Sequence, residues 1–397
     1  MSRARRPLGV GIVGMGAAGA AFVHALRRHP AFAWVAFAET HDEVRAAWAA
    51  DPAAQGVAAC DSLQALLCLA QVEVVLIATP TPLHAEQARQ AAAAGRHVLV
   101  EKPMATCWAE AQAMVRAAQR AGVTLMVGHS HSFDLPIQHM RKIVAAGDLG
   151  PVRMISTWCF TDWMRRPRRP EEFDAAQGGG VVMRQGAHQF DILRLLAGGR
   201  ARSVRAQTFD WDPRRPGIGA HSSFIEFEGG VTATAVYNGY GGMASRSLCH
   251  GISEWGLGPD PSATPSPPEQ AHVNQPLSPD AELQAKRERA RRAIPAQAPY
   301  QPFFGLTVVS CEGGDIRQSP SGLWVETPGR AWEIRLPTDR SPREHVLDEL
   351  AGALQGGRPA LHDGRWGLAT LELCLAAMSS ARRAQTVRLR HQVPVPD

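Results

Sequence analysis

In the first 128 residues, short apolar runs alternate with alanine-rich segments of helical character. Val72–Ala78 is almost wholly apolar, which is typical of a parallel strand buried on both faces of a sheet. The other predicted strands are Leu8–Val13, Trp34–Ala38, Val98–Val100 and Thr124–Val127, and the predicted helices are Gly19–Arg28, Ser62–Ala70, Leu83–Ala94 and Thr106–Ala121. This alternation predicts an α/β fold with a doubly wound parallel sheet over residues 1–128.

From residue 129 onward the pattern changes. Two alternating runs, Ser223–Phe227 and Val231–Tyr237, flank a Glu-Gly-Gly turn and predict an antiparallel hairpin. Further strands are predicted at Val152–Phe160, Ser203–Phe209, Leu306–Val309 and Trp332–Leu336, and helices at Pro136–Ala146, Val182–Ala197, Arg343–Leu354 and Gly367–Arg382. We therefore expect a second, α+β domain over residues 129–397. Its segment 256–301 is rich in Pro, Ser and Gln and predicts an insertion or flap with one polar helix, Asp280–Ala293.

Composition excludes several classes of protein. The 397 residues are 45% hydrophobic and 20% charged, as in a soluble globular protein, and a net charge of +5 is too small to indicate a nucleic-acid partner. The seven cysteines are scattered without a CxxC pair, so we expect neither zinc nor disulfides, and a cytoplasmic location. We also expect no membrane span. The basic start and following apolar run resemble a signal peptide, but the glycine spacing favours a strand that enters a turn.

The first strand runs directly into a G-x-G-x-x-G turn, which opens a helix. Glycines at these positions allow a tight turn and close approach of the backbone to a pyrophosphate. Glu39 follows 20 residues after the last glycine, where its carboxylate would bind the ribose hydroxyls and repel a 2′-phosphate. The pattern predicts a Rossmann domain that binds NAD, although Arg45 offers an alternative contact for a phosphate. The predicted cofactor residues here are Gly14, Met15, Gly16, Ala17, Ala18, Gly19 and Glu39.

Two more segments follow strands of the predicted sheet, and ligands bind at the carboxyl ends of such strands. Thr79, Pro80, Thr81 and His84 are expected on the nicotinamide side of the cofactor, although His84 has the alternative of facing solvent from a helix. Glu101 and Lys102 follow the next strand and are also expected near the cofactor. There the Lys102 amine would bind a substrate hydroxyl and help to remove its proton.

The glycine turn, the segment ATPTPLHAEQARQAAAAGRHVLVEKPMA and the segment GGG…GAHQFDILRLL together resemble the Gfo/Idh/MocA family of oxidoreductases. The resemblance implies an N-terminal Rossmann domain and a C-terminal domain whose largely antiparallel open sheet often mediates oligomers, so we expect a homodimer or homotetramer. It implies that Lys102 lies in an EKP turn, often with a cis bond before the proline. It also implies that His188 handles the proton and that Asp191 positions the histidine or a substrate hydroxyl.

One position departs from the sugar-oxidising members of the family. They usually carry Asp four residues before the histidine, where this chain has Arg184. A guanidinium accepts no hydrogen bond and pairs with carboxylates, so the exchange predicts a substrate that carries a carboxylate. Arg165 and Arg168 are candidates to complete an anion pocket, with Trp163 as an apolar wall. The alternatives are a structural salt bridge for Arg184 and a solvated turn or subunit contact for the arginine-rich loop.

His129 and His131 end the predicted Rossmann sheet. With no third ligand evident, we expect no metal and assign both histidines to substrate binding as hydrogen-bond donors. The stretches HSHSFD, CFTDW…RRPRRP, RQGAHQFD, TFDWDP and AVYNGYG resemble one branch of the family, the phthalate 4,5-dihydrodiol dehydrogenases. This resemblance implies NAD-dependent oxidation of a dicarboxylated cis-dihydrodiol to a catechol. The alternatives are a sugar or inositol dehydrogenase and a dinucleotide-sensing regulator without catalysis.

Overall fold

The computed structural model describes residues 6–259, 278–293, 295 and 297–396. The chain divides into two compact units: Met1–His129 with Arg343–Leu368, and Ser130–Pro342 with Ala369–Asp397. We call them the first and the second unit. The sequence analysis places residues 343–368 in the C-terminal domain, whereas the structure pairs them with the last strand of the first unit. There the Val127 amide donates to the His362 carbonyl at 2.9 Å.

The first unit contains a six-stranded sheet in which every paired strand is parallel. Its strands are β1 (Leu8–Val13), β2 (Phe32–Ala38), β3 (Ala58–Cys60), β4 (Val74–Ile77), β5 (His97–Glu101) and β6 (Leu125–Gly128), in the order β3-β2-β1-β4-β5-β6. The helices between them are α1 (Ala17–Arg28), α2 (Asp42–Ala49), α3 (Leu63–Leu67), α4 (Thr81–Ala93) and α5 (Trp108–Ala121). This is the doubly wound order of a dinucleotide-binding fold, and it confirms the predicted parallel sheet.

Local sequence accounts for several element ends in this unit. The Ser62 hydroxyl accepts a hydrogen bond from the Ala65 amide at 3.3 Å and caps α3. Gly122 ends α5 with φ +65°, a conformation that favours glycine. The pattern missed α2 and β3. Both are short, and α2 buries no residue, so its apolar pattern is weak.

The second unit contains a mixed, largely antiparallel sheet, as predicted. The only parallel pair among its described strands is formed by β7 (Val152–Phe160) and β10 (Thr232–Asn238). Its other strands are β8 (Ala201–Phe209), β9 (Ala220–Phe227), β11 (Leu306–Cys311), β12 (Gly314–Ser319), β13 (Gly322–Thr327), β14 (Arg330–Arg335) and β15 (Val387–Arg388), and the strand order is β14-β13-β12-β11-β7-β10-β9-β8-β15. The sequence pattern did not indicate β12 and β13, which are six residues each; β12 is largely polar, and β13 has only three consecutive apolar side chains, Leu323 to Val325.

The remaining helices are α6 (Leu135–Ala146), α7 (Ala187–Leu196), α8 (Pro279–Ala293), α9 (Pro342–Gln355) and α10 (Gly364–Arg383). Helix α8 lies in the predicted insertion, of which residues 260–277, 294 and 296 are outside the described residues. Ion pairs hold α8 on the second unit: Glu282 with Arg215 at 3.1 Å, and Lys286 with Glu172 at 2.6 Å. Helix α8 of the insertion is therefore packed against the rest of the second unit.

None of the helices in the described part of the chain combines the length and the apolar character needed to cross a membrane. All seven cysteines lie in the described residues and carry free thiols.

Candidate functional site

The glycine turn after β1 meets the requirements of a pyrophosphate site. Gly14 has φ +89°, and a Cβ on Gly19 would lie 2.1 Å from the Gly14 carbonyl oxygen, so both positions require glycine. Gly16, at the start of α1, is different, because no described atom lies within 4 Å of where its Cβ would be. The turn therefore leaves space beside the free amides of a helix N-terminus, and these residues fit a dinucleotide.

Glu39 follows β2 and lies against this turn. Its Oε2 accepts a hydrogen bond from the Met15 amide at 3.0 Å, and its Oε1 accepts one from the His41 amide at 3.1 Å. Arg45 donates to the Glu39 carbonyl at 2.9 Å and to the Asp42 carboxylate at 2.7 Å. Arg45 was the alternative contact for a 2′-phosphate. Because its guanidinium is paired with the Asp42 carboxylate, the arrangement favours NAD over NADP.

The loops after β4 and β5 lie at the carboxyl edge of the same sheet. His84 is buried in α4, with Nδ1 3.0 Å from the Pro103 carbonyl and Nε2 2.8 Å from the Thr79 carbonyl, so its ring ties the two loops together. The alternative that His84 faces solvent is therefore wrong. The bond between Lys102 and Pro103 is cis, in agreement with the resemblance. Lys102 is half-buried.

Other predicted residues in the first unit are placed as follows. Pro80 precedes α4, and Thr81 is buried at its first position. Glu101 ends β5, and its carboxylate accepts a hydrogen bond from the Lys102 amide at 3.3 Å. His129 is buried, with its ring centroid 6.4 Å from that of His362. Contacts of these residues with a cofactor or a substrate remain predictions.

In the second unit, one π-helical turn, Val182–Gly186, leads into α7. Such turns are rare and occur often at functional sites. The turn carries Arg184, and His188 is buried at the second position of α7. A Cβ on Gly186 would lie 3.2 Å from His221 Nε2, so the turn packs closely against β9.

Asp191 anchors the helix that carries His188. Its Oδ2 accepts a hydrogen bond from the Ser132 hydroxyl, and its Oδ1 accepts one from the Thr370 hydroxyl at 3.0 Å. Thr370 in turn accepts from Arg194 Nη1 at 2.7 Å. Since Asp191 and His188 are three residues apart on α7, this buried network holds the turn of helix that carries the histidine, and it favours the positioning role predicted for Asp191.

His131 is a buried cation between two carboxylates. Its Nδ1 lies 3.1 Å from Asp134 and its Nε2 lies 3.3 Å from Glu254. Burial acts to lower the pKa of His131, but Asp134 and then Glu254 outweigh it and raise the pKa to about 9. Because both ring nitrogens face protein carboxylates, the geometry does not support the predicted role as a donor to the substrate.

Aromatic rings complete the surroundings of His131. Phe304 stacks on it with ring centroids 4.3 Å apart, and Trp255 lies at 4.8 Å. The ring of His188 meets His131 at 4.6 Å in a perpendicular arrangement. A fixed positive charge thus lies against the candidate proton acceptor. In the described residues, no group of three or more His, Cys, Asp and Glu side chains is arranged to hold a metal ion.

Two of the predicted arginines, Arg168 and Arg184, converge on a carboxylate that was not predicted from the sequence. Glu172 Oε1 lies 3.2 Å from Arg168 Nη1 and 3.3 Å from Arg184 Nη2, and its Oε2 lies 2.6 Å from Lys286 Nζ. We call these four side chains the Glu172 cluster. Burial acts to raise the pKa of Glu172, but the three cations hold it well below its usual range.

The salt-bridge alternative for Arg184 therefore holds, although it does not exclude binding of a ligand. Trp163 is fully buried, and the Arg168 guanidinium lies 4.3 Å from the centroid of the tryptophan ring. The ring therefore packs inside the loop and is not accessible as an apolar wall for a substrate. Arg165 is half-buried and is not among the described partners of Glu172. Glu172 could have been suspected from the sequence, because it belongs to an acidic pair directly after the arginine run. Lys286 lies 114 residues away from it, and no local pattern connects the two.

Gly16→Ala should weaken dinucleotide binding without destabilising the fold, because its methyl group fills space that only a ligand uses. We expect NADH affinity, measured by fluorescence titration, to fall by about tenfold or more at an unchanged melting temperature. Gly19→Ala is the matched control, and its clash with Gly14 should cost about 1–3 kcal/mol of stability. Wild-type NADH affinity in Gly16→Ala would contradict this assignment of the turn.

The charge of His131 should appear in the pH dependence of stability. The raised pKa means that His131 stabilises the fold fully below pH ~6.5, and that this contribution is lost as the pH rises through about 9. The difference in melting temperature between wild type and His131→Gln should therefore shrink between these pH values. His221→Gln is the control, because burial lowers the pKa of His221 to about 4 and leaves it neutral throughout. A constant difference for His131→Gln would mean that His131 is neutral.

Comparison with known proteins identifies the family. Residues 8–129 match the oxidoreductase family with an NAD-binding Rossmann fold, and residues 137–244 match the GFO/IDH/MocA C-terminal domain. The chain is 38% identical over 317 residues to 1-carboxy-3-chloro-3,4-dihydroxycyclohexa-1,5-diene dehydrogenase of Comamonas testosteroni, covering 78% of this chain and 79% of that protein.

Two solved structures agree with this family in fold. A crystal structure from Bordetella bronchiseptica RB50 is 34% identical, with a TM-score of 0.88 over 96% of this chain and 100% of that one. The WlbA dehydrogenase of Bordetella pertussis, in complex with NADH and UDP-GlcNAcA, is 23% identical, with a TM-score of 0.70 over 97% of this chain and 98% of that one. The chain therefore belongs to the Gfo/Idh/MocA family and is an oxidoreductase with an NAD-binding Rossmann domain.

Proposed function

We propose that the chain oxidises a carboxylated cis-dihydrodiol, 4,5-dihydro-4,5-dihydroxyphthalate, to the catechol 4,5-dihydroxyphthalate, with NAD as the oxidant. The observation that carries the proposal is the Glu172 cluster, in which Arg184, four residues before His188, lies among cations. The name of the Comamonas relative supports it, because that substrate is a cyclohexadiene with one carboxyl and two hydroxyl groups.

The proposed reaction removes two hydrogens from the diol. NAD, when bound, accepts hydride from one carbinol carbon. His188 takes the proton of the hydroxyl on that carbon, and Asp191 holds the position of α7 through Ser132 and Thr370. The resulting ketone tautomerises to the aromatic catechol, which makes the overall reaction downhill. For Lys102, in the cis EKP turn after β5, the family resemblance implies binding of a substrate hydroxyl.

The experiment is an assay of NADH formation with a panel of substrates. We expect turnover to be highest with the dicarboxylated dihydrodiol, lower with its monocarboxylate analogue and negligible with inositol or glucose. His188→Asn should lower turnover by about 10²–10⁴-fold while NADH binding is retained. Oxidation of the polyols alone would favour a sugar dehydrogenase, and no NADH with any substrate would favour a regulator. Either result would contradict the proposal.

We also propose that the chain forms a homodimer or homotetramer through the open sheet of the second unit. Met154 and Trp158 on β7 and Phe224 on β9 are large apolar side chains that are more than a third exposed on this sheet. The register of β7, β10 and β9 places these side chains on one face of the sheet, and exposed apolar side chains on a shared face favour association. Light scattering should give a mass of at least two chains for wild type and a smaller mass for Trp158→Lys. A monomeric wild type would contradict this part of the proposal.

A further inference from the structure

The Glu172 cluster draws its cations from three separate parts of the second unit. Arg168 comes from the loop after β7, Arg184 from the π-helical turn before α7, and Lys286 from α8. Glu172 is 4% exposed, whereas the side chains of Arg184 and Lys286 are 22% and 26% exposed. A ligand can therefore reach two of the cations while the central carboxylate stays covered.

One carboxylate does not neutralise this cluster, because three cations and one carboxylate carry a formal charge of +2. Burial, opposed by Glu172 and reinforced by Arg168 and Arg184, lowers the pKa of Lys286 to about 8. Burial likewise lowers the pKa of Arg168 to about 10. Both cations would thus be stabilised by another negative charge.

The cluster also retains hydrogen-bond donors. The buried Nε of Arg168 has no hydrogen-bond partner among the described residues. The Lys286 ammonium has three N–H donors, and Glu172 takes the one described hydrogen bond. The Trp163 ring lies under the Arg168 guanidinium at 4.3 Å and fixes its plane. Fixed donors with excess charge are what a carboxylate ligand requires.

Helix α8 holds Lys286 in place. Glu282, one turn before it, accepts from the Arg168 amide at 2.7 Å and from Arg215 at 3.1 Å. Arg289, three residues after Lys286, lies 3.6 Å from Asp162. The lysine is therefore presented to the cluster by a helix that is itself bound to the arginine-rich loop.

We propose that the Glu172 cluster binds a carboxylate group of the substrate, and that Lys286 is the residue of α8 that determines selectivity for acids over neutral polyols. Glu172 gathers the three cations, and the substrate carboxylate takes the remaining donors of the Lys286 ammonium. The inference deepens the proposed function and depends on it for the identity of the substrate. The ligand class, an organic carboxylate, follows from the cluster.

The test uses phthalate, a dicarboxylate that cannot be oxidised as a diol, and isothermal titration calorimetry of the NADH-saturated protein. Lys286→Met should weaken phthalate binding by about tenfold or more, whereas Lys286→Arg should retain it. Arg200→Gln is the matched control, because it removes an exposed cation of the second unit that pairs with Glu228. It should leave phthalate affinity unchanged.

A pH series keeps the proposal falsifiable even if Lys286→Met folds poorly. The charged groups facing Lys286 are Glu172, Arg168 and Arg184, and Lys286 loses its charge before Arg168 does as the pH rises. Wild-type phthalate affinity should therefore fall between pH ~7 and ~9, more steeply than that of Lys286→Arg. His131 loses its charge over the same pH range in both proteins, so its effect on phthalate affinity cancels in this comparison.

Equal phthalate affinity in wild type and folded Lys286→Met, parallel pH profiles of wild type and Lys286→Arg, or no phthalate binding by wild type would each overturn the inference. These results are distinguishable from failure of the proposed function. Loss of phthalate binding in Lys286→Met with no dihydrodiol oxidation by wild type would retain the carboxylate site and reject the reaction. Dihydrodiol oxidation by wild type, together with unchanged phthalate binding in Lys286→Met, would retain the proposed reaction and reject the carboxylate site.

Discussion

The second unit is organised by the need to pair buried charge, because an uncompensated ion in a protein interior costs several kcal/mol. Glu172 is nearly inaccessible, and it is stable as a carboxylate because three cations surround it. The same ion pairs hold the arginine-rich loop, the π-helical turn and α8 together. The Glu172 carboxylate thus holds three segments of the second unit together, and the excess positive charge around it favours binding of a second anion.

His131 shows the opposite arrangement, a cation between carboxylates, and an ionic chain leads from it toward the same loop. Glu254, which binds His131, lies 3.7 Å from Arg166, and Arg166 binds Asp162 at 2.7 Å. Arginines of one loop therefore serve two tasks: Arg166 balances carboxylates near His131, whereas Arg168 joins Glu172. Such a network requires defined geometry, and it places a fixed positive charge beside His188.

Features set by local backbone or periodicity were predictable from the sequence. The strand–helix alternation of the first unit and the glycine turn depend on neighbouring residues, whereas the EKP turn was implied by the family resemblance. The pairing of Lys286 with Glu172 joins residues 114 apart, and the association of residues 343–368 with β6 is equally non-local, so no local pattern indicates either. For Arg184 the sequence suggested a substrate carboxylate or a structural salt bridge, and the partner that the structure gives it is Glu172 of the chain itself.

The most direct test of selectivity by the Glu172 cluster is a crystal structure of the protein with NADH and phthalate. The account predicts a phthalate carboxylate within hydrogen-bond distance of Lys286 Nζ and of the Arg168 or Arg184 guanidinium, with Glu172 still at the centre of the cluster. Phthalate bound elsewhere, with the three cations contacting Glu172 alone, would contradict it.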